Sequence, residues 1–242
     1  MLLHYNWLQS YTVFGNDGEI GKVDDVYFDE NMWTIRYIVA KTGKTFLSEK
    51  VFISPVSIEK MDINEEVIRV GITQDEAQKA PDPGEEAVTR KYEKDFSHYY
   101  RMSPYWLGTG VWGNAASARE MVYEEVPVRA EELEDNQSHV HQAKLVTGYE
   151  LSVKDDTFGK IEDMLLDESS FRIKYFVADT KKWLPGGKKV LISPEWVEAI
   201  DWGKAQINID VTREQIESAP EYLSKIDLTD ERERELWFHY NK

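Results

Sequence analysis

The chain has 242 residues, 41% of them hydrophobic and 12% aromatic, which is enough for two modest cores and too apolar for disorder throughout. Its formal net charge of −16 opposes binding to nucleic acid or to an anionic membrane surface, because both need clustered Lys and Arg. The absence of cysteine excludes disulfides, thiolate metal sites and Cys nucleophiles, and no segment approaches the ~18 apolar residues of a membrane span.

Met1–Ser10 carries neither a basic region nor a cleavable apolar stretch, so a soluble, cytoplasmic protein is expected. Val13-Phe14 then leads into the turn signal Gly15-Asn-Asp-Gly18. Apolar residues at 20, 23, 26 and 28 predict a strand over Ile20–Asp29, with an irregularity near Gly21. Trp33–Ala40 alternates, with Trp33, Ile35, Tyr37 and Val39 on one face and Thr34 and Arg36 on the other. Phe46-Leu47 and Val51–Ile53 supply the next edge before Ser54-Pro55, and Val67–Val70 reads as a last strand. Thr73-Gln-Asp-Glu76 fits a capping box, and Ala80-Pro81 stops the short helix that it opens.

The chain then repeats this order. Asp17–Thr42 and Asp155–Thr180 align without a gap at an offset of 138, with 11 identities in 26 positions. Val51–Pro81 and Val190–Pro220 continue at an offset of 139, with 10 identities in 31. Copy two holds strands at Phe158–Asp167, Phe171–Ala178, Val190–Ile192 and Gln206–Ile209, then the capping box Thr212–Gln215 and the stop Ala219-Pro220. Short strands joined by turns, with no crossover helices, predict a mainly β fold of two small antiparallel barrels with short terminal helices. The expected boundaries are 1–82 for the first barrel and 83–138 for a helix, an aromatic segment and an acidic linker. The second barrel is expected over 139–223 and a C-terminal helix over 224–242.

The matching glycines Gly21 and Gly159 are read as fold signals for a bulge or close backbone approach, and Pro55 and Pro194 as fold-critical beside them. Gly21-Lys-Val-Asp-Asp25, Ile35-Arg-Tyr-Ile-Val39 and Val51-Phe-Ile-Ser-Pro55 recur as Gly159-Lys-Ile-Glu-Asp163, Ile173-Lys-Tyr-Phe-Val177 and Val190-Leu-Ile-Ser-Pro194. On these motifs the chain resembles the PRC-barrel family, over roughly 13–81 and 151–220. That family includes the cytoplasmic domain of the photosynthetic reaction-centre H subunit and the C-terminal domain of the ribosome maturation factor RimM. The likeness extends to stand-alone bacterial tandem proteins described as H-subunit-like. The resemblance implies a small β-barrel used in protein contacts, with no catalytic residues to carry over.

Between the copies, Phe96–Gly113 sets Tyr99, Tyr100, Tyr105, Trp106 and Trp112 among Gly and Pro, too many aromatics for water. They either pack on the chain's own barrels or a second copy, or anchor a different protein. Glu120–Asp135, with seven acids and one base, reads as a solvated linker. Thr89–Tyr100 is echoed by Thr229–Tyr240 at an offset of 140, so the duplicated unit extends to an aromatic helix.

His139-Val-His141 could present two imidazoles on one face, a weak metal signal without a third ligand. Paired acids at Asp24-Asp25 and Asp29-Glu30, and their copies, fall on strands and turns where acids are solvated or initiate turns. Phosphate-loop and dinucleotide signatures are absent. The expectation is therefore a non-enzymatic scaffold or adaptor that binds protein and self-associates, without cofactor, metal, nucleic acid or integral membrane segment. The alternatives are a small-ligand or metal sensor using His139 and His141, and a peripheral partner of a membrane electron-transfer complex, suggested by the H-subunit likeness alone.

Overall fold

The computed structural model describes residues 2–43, 49–84, 87–121, 138–153, 156–223 and 229–240. Phe46, Leu47 and most of the acidic stretch therefore lie outside the described residues. The chain opens with β1 (Leu2–His4) and the single turn α1 (Tyr5–Leu8). Repeat one follows as β2 (Thr12–Gly15), β3 (Gly18–Asp29), β4 (Thr34–Lys41), β5 (Lys50–Ile53), β6 (Ile58–Asp62), β7 (Val67–Val70), α2 (Gln74–Lys79) and α3 (Arg90–Tyr99). Then come β8 (Val140–Gln142) and α4 (Ala143–Val146). Repeat two is β9 (Glu150–Val153), β10 (Asp156–Asp167), β11 (Ile173–Asp179), β12 (Lys189–Ile192), β13 (Val197–Asp201), β14 (Gln206–Ile209), α5 (Arg213–Ser218) and α6 (Asp230–Tyr240).

The protein is mainly β, with one sheet per repeat. The strand path is β5-β4-β3-β2-β7-β6 in repeat one and β12-β11-β10-β9-β14-β13 in repeat two. Each path ends on strands that are neighbours in sequence. The turn Pro55–Ser57 joins β5 to β6, and Pro194–Trp196 joins β12 to β13, which curls each sheet into a barrel. Ser54 and Ser193 cap those turns through their hydroxyls, and both prolines are buried at the first position, where no amide donor is needed. The sheets are mixed where antiparallel barrels were expected: β2 pairs parallel with β7, and β9 with β14. The first and last strands of each repeat run the same way, and sequence alternation does not encode that direction.

Bulges recur at equivalent places. In repeat one, Asp24 and Arg36 are the extra residues of the β3–β4 pair; Glu162 and Lys174 hold those places in β10–β11. Gly21 sits where β3 bends past β4. A Cβ there would lie 2.1 Å from the Lys41 carbonyl oxygen, and at Gly159 it would lie 2.8 Å from that of Asp179. Trp33 and Phe171 share a left-handed backbone, as do Glu66 and Ala205. Both capping boxes form, with Thr73 and Thr212 accepting from the Glu76 and Gln215 amides while those side chains accept in return.

The compact units do not follow the repeat boundaries. The repeat-one unit is Trp7–Ala143 with Ser169–Arg172; the repeat-two unit is Met1–Asn6, Lys144–Glu168 and Ile173–Lys242. The segment before each repeat has been exchanged. β1, which precedes repeat one, pairs antiparallel with β10; β8, which precedes repeat two, pairs antiparallel with β3. The two pairings are equivalent, since Leu2↔Asp167 and Val140↔Asp29 each differ by 138 on both strands. The linker boundary drawn at 138/139 thus falls one residue before the strand that completes the first sheet.

Candidate interaction surfaces

In the repeat-one unit, α3 packs on side chains of β4 and β5. Phe96 packs edge-on to Tyr37, with centroids 4.9 Å apart, in a cluster with Val39, Phe52, Val88 and Val140. Thr89 caps the helix by accepting from the Tyr92 amide, and the Tyr92 hydroxyl donates to the Pro81 carbonyl. The aromatic segment then folds back over this helix. Its return begins where the Met102 amide donates to the Ser97 carbonyl at 2.8 Å.

Beneath the segment lies a buried charge cluster. The bulge at Arg36 turns the guanidinium onto Asp29, at 2.7 Å from Nε and 2.6 Å from Nη2, with both side chains almost wholly buried. Asp29 uses its other oxygen to accept from the Asn31 and Met32 amides, so its turn role and its ion pair coexist. Arg36 also donates to the Val111 carbonyl, and its guanidinium lies 3.5 Å from the Tyr105 ring centroid and 4.8 Å from that of Trp112. The Tyr105 hydroxyl meets Glu93 at 2.5 Å, and Arg90 donates to the other Glu93 oxygen at 2.7 Å. Burial pushes the Tyr105 hydroxyl well above its usual range.

Burial likewise pushes the Glu93 carboxyl up to about 7, against the pull of Arg90 and of the Tyr105 hydroxyl. A carboxyl with a raised folded pKa holds more protons folded than unfolded between its ordinary value of 4.5 and about 7. Its contribution to stability is therefore greatest below that window and is lost as pH rises through it, by about 3 kcal/mol at most. Glu93→Gln is expected to flatten the decline of the urea midpoint between about pH 5 and 7. An unchanged slope would contradict this.

These contacts place the five arm aromatics. Trp112 is buried, and its Nε1 donates to the Ser170 carbonyl at 2.9 Å. Tyr105 covers Arg36, while Trp106 lies under Arg90 with 4.5 Å from guanidinium to ring. The Tyr99 and Tyr100 hydroxyls both reach the Glu76 carbonyl, and Tyr99 keeps a 37% exposed side chain.

The equivalent helix of repeat two is covered differently. α6 also docks through its third turn, with Leu236 and Tyr240 buried and Tyr240 4.3 Å from the Trp196 ring. At the position of Ser97, which is 8% exposed under the arm, α6 carries Trp237 at 57%, followed by Phe238 at 62%. Tyr92 is replaced by Arg232 and Phe52 by Leu191, and a small cavity opens between Leu191, Tyr222, Arg232 and Leu236. The sequence echo between the helices located α6 but did not single out these two aromatics.

His139 and His141 meet on one carboxylate: Glu30 Oε1 is 3.3 Å from His139 Nδ1, and Oε2 is 3.0 Å from His141 Nε2. Burial lowers the His141 pKa, against the pull of Glu30. Among the described residues, no group of three or more His, Asp and Glu is placed to hold a metal ion. His239 Nε2 lies 2.7 Å from the Gln215 carbonyl oxygen, and His98 is exposed. His4, which the sequence did not mark, is buried against Asp163 in the exchanged strand.

Compared with known families, the PRC-barrel domain matches residues 2–77 and 151–216, more than half of the chain. The comparison with curated proteins finds no match. Among the described residues no helix is long and apolar enough to cross a membrane.

Proposed function

From the premise that this chain belongs to the PRC-barrel domain family, we propose that it is a non-enzymatic, protein-binding scaffold that self-associates through α6. PRC-barrel domains are often protein-interaction modules. The observation that carries the reading is the pair Trp237 and Phe238, two large aromatics at 57% and 62% exposure on adjacent positions of one helix. Aromatics of this size are what interface centres are built from, and they are uncommon in water.

The chain itself supplies a template, because the same face of α3 takes an aromatic segment and buries Ser97 beneath it. A second copy suits the α6 face. Glu231, Glu233 and Glu235 alternate with Arg232 and Arg234 beside the aromatic pair. Two antiparallel α6 helices around a two-fold axis can therefore set arginine against glutamate while the rings meet.

Light scattering across a concentration series tests this. Wild type is expected to reach the mass of a dimer, and Trp237→Ser/Phe238→Ser to stay at 28.2 kDa with unchanged circular dichroism. A wild-type chain that is monomeric throughout would overturn self-association through α6. In protein that has not been unfolded and refolded, a dimer that survives the double substitution at about micromolar concentration, well below the range of tethered-strand competition, would overturn it as well.

A further inference from the structure

β1 is held in the repeat-two unit without backbone continuity, since the chain leaves that unit after Asn6 and re-enters it at Lys144. Its seat is nonetheless built in detail. Leu2, Leu3 and His4 pair with Asp167, Leu166 and Leu165, and the Leu3 and Tyr5 side chains are buried. The His4 ring is buried with Nδ1 2.5 Å from Asp163 Oδ2 and Nε2 2.9 Å from the Tyr222 hydroxyl. The Asn6 amide donates to Asp163 Oδ1 at 3.1 Å, and its side chain donates to the Glu162 carbonyl at 3.3 Å.

Emptying this seat would leave the Leu165–Asp167 edge with unpaired backbone groups and take the imidazole from a buried carboxylate. The seat therefore favours being filled, and it reads only the chemistry of one short strand: two leucines, a histidine, a tyrosine and an asparagine. We propose that the β10 edge is a strand-acceptor site that also takes Leu2–Asn6 from a second copy of this chain, giving a strand-exchanged dimer. The two forms make the same contacts over Leu2–Asn6 and differ only in the hinge that follows Asn6 and in their dependence on concentration. Within one chain the strand and its seat are joined only through the repeat-one unit, so the exchanged form grows with protein concentration, and about millimolar is the scale at which a strand from a second copy competes with a tethered one.

The cysteine-free sequence allows a direct test in the full chain, with Trp237→Ser/Phe238→Ser as background so that the α6 face cannot contribute. Opposed Cα atoms of an antiparallel pair lie about 4.5–5.5 Å apart, within disulfide reach. Chains carrying Leu2→Cys and chains carrying Asp167→Cys are unfolded together, refolded at concentrations from about micromolar to about millimolar, and oxidised. A covalent heterodimer whose yield rises at least about tenfold over that range is expected. The double variant Leu2→Cys/Asp167→Cys calibrates closure within one chain. Closure there with no heterodimer at any concentration overturns the proposal. Native mass spectrometry of isotope-labelled and unlabelled chains refolded together is the second readout, needing no thiols: mixed dimers support exchange, and monomers alone overturn it.

Discussion

Replacing Arg36 with methionine is expected to lower the unfolding free energy by about 3–5 kcal/mol, the usual cost of stranding one member of a buried ion pair. The remaining Asp29 carboxylate is almost wholly buried, and the Asn31 and Met32 amides satisfy only one of its oxygens. The change also removes the donor to Val111 and the cation between the Tyr105 and Trp112 rings, so the aromatic segment loses its anchor to β4. Repeat two supplies the control, because Lys174 stands at the equivalent bulge and is exposed. Lys174→Met should move the urea midpoint by the equivalent of no more than about 0.5 kcal/mol. Asp29→Leu combined with Arg36→Met should recover most of the loss, since neither charge is then left alone. A loss below about 1 kcal/mol for Arg36→Met alone would show that the cluster is not closed to water.

Alanine at Gly21 is expected to cost more than alanine at Gly159. At Gly21 the added carbon would overlap the Lys41 carbonyl oxygen at 2.1 Å and its carbon at 2.7 Å; both are backbone atoms of a paired strand and cannot swing aside. At Gly159 the nearest atom, the Asp179 oxygen, is 2.8 Å away and the next contacts are at 3.4 Å. Overpacking of this kind costs roughly 1–3 kcal/mol, with Gly21 near the top of that range and Gly159 near the bottom. Equal or reversed losses in urea unfolding would mean that β4 and β11 yield differently from their static geometry.

Much of the fold was legible because its signals are local. Capping boxes, Ser-Pro turns and bulge glycines act within a few residues, and each occurs twice, so coincidence is a poor explanation for them. The exchange of β1 and β8 was not legible. A three-residue strand has no periodicity to read, and Leu2-Leu3-His4 shares no identity with Val140-His141-Gln142 despite their equivalent pairing. Strand alternation placed Arg36 opposite the apolar face of β4, but only the bulge and the folded-back segment make that position buried. The same limit applies to the helices. The echo of α3 in α6 is visible, whereas the exposure of Trp237 depends on which helix the aromatic segment covers.

Reciprocal strand exchange is tested most directly by cutting the chain between its repeats. A specific protease site is placed within residues 124–135, which lie outside the described residues; the folded full-length protein is treated with the protease, cleavage is verified under denaturing conditions, and the product is sized under native ones. If β1 and β8 each complete the other half's sheet, the halves co-elute at the uncut size and separate only in denaturant. Halves that part in native buffer, each soluble and folded, would contradict the exchange.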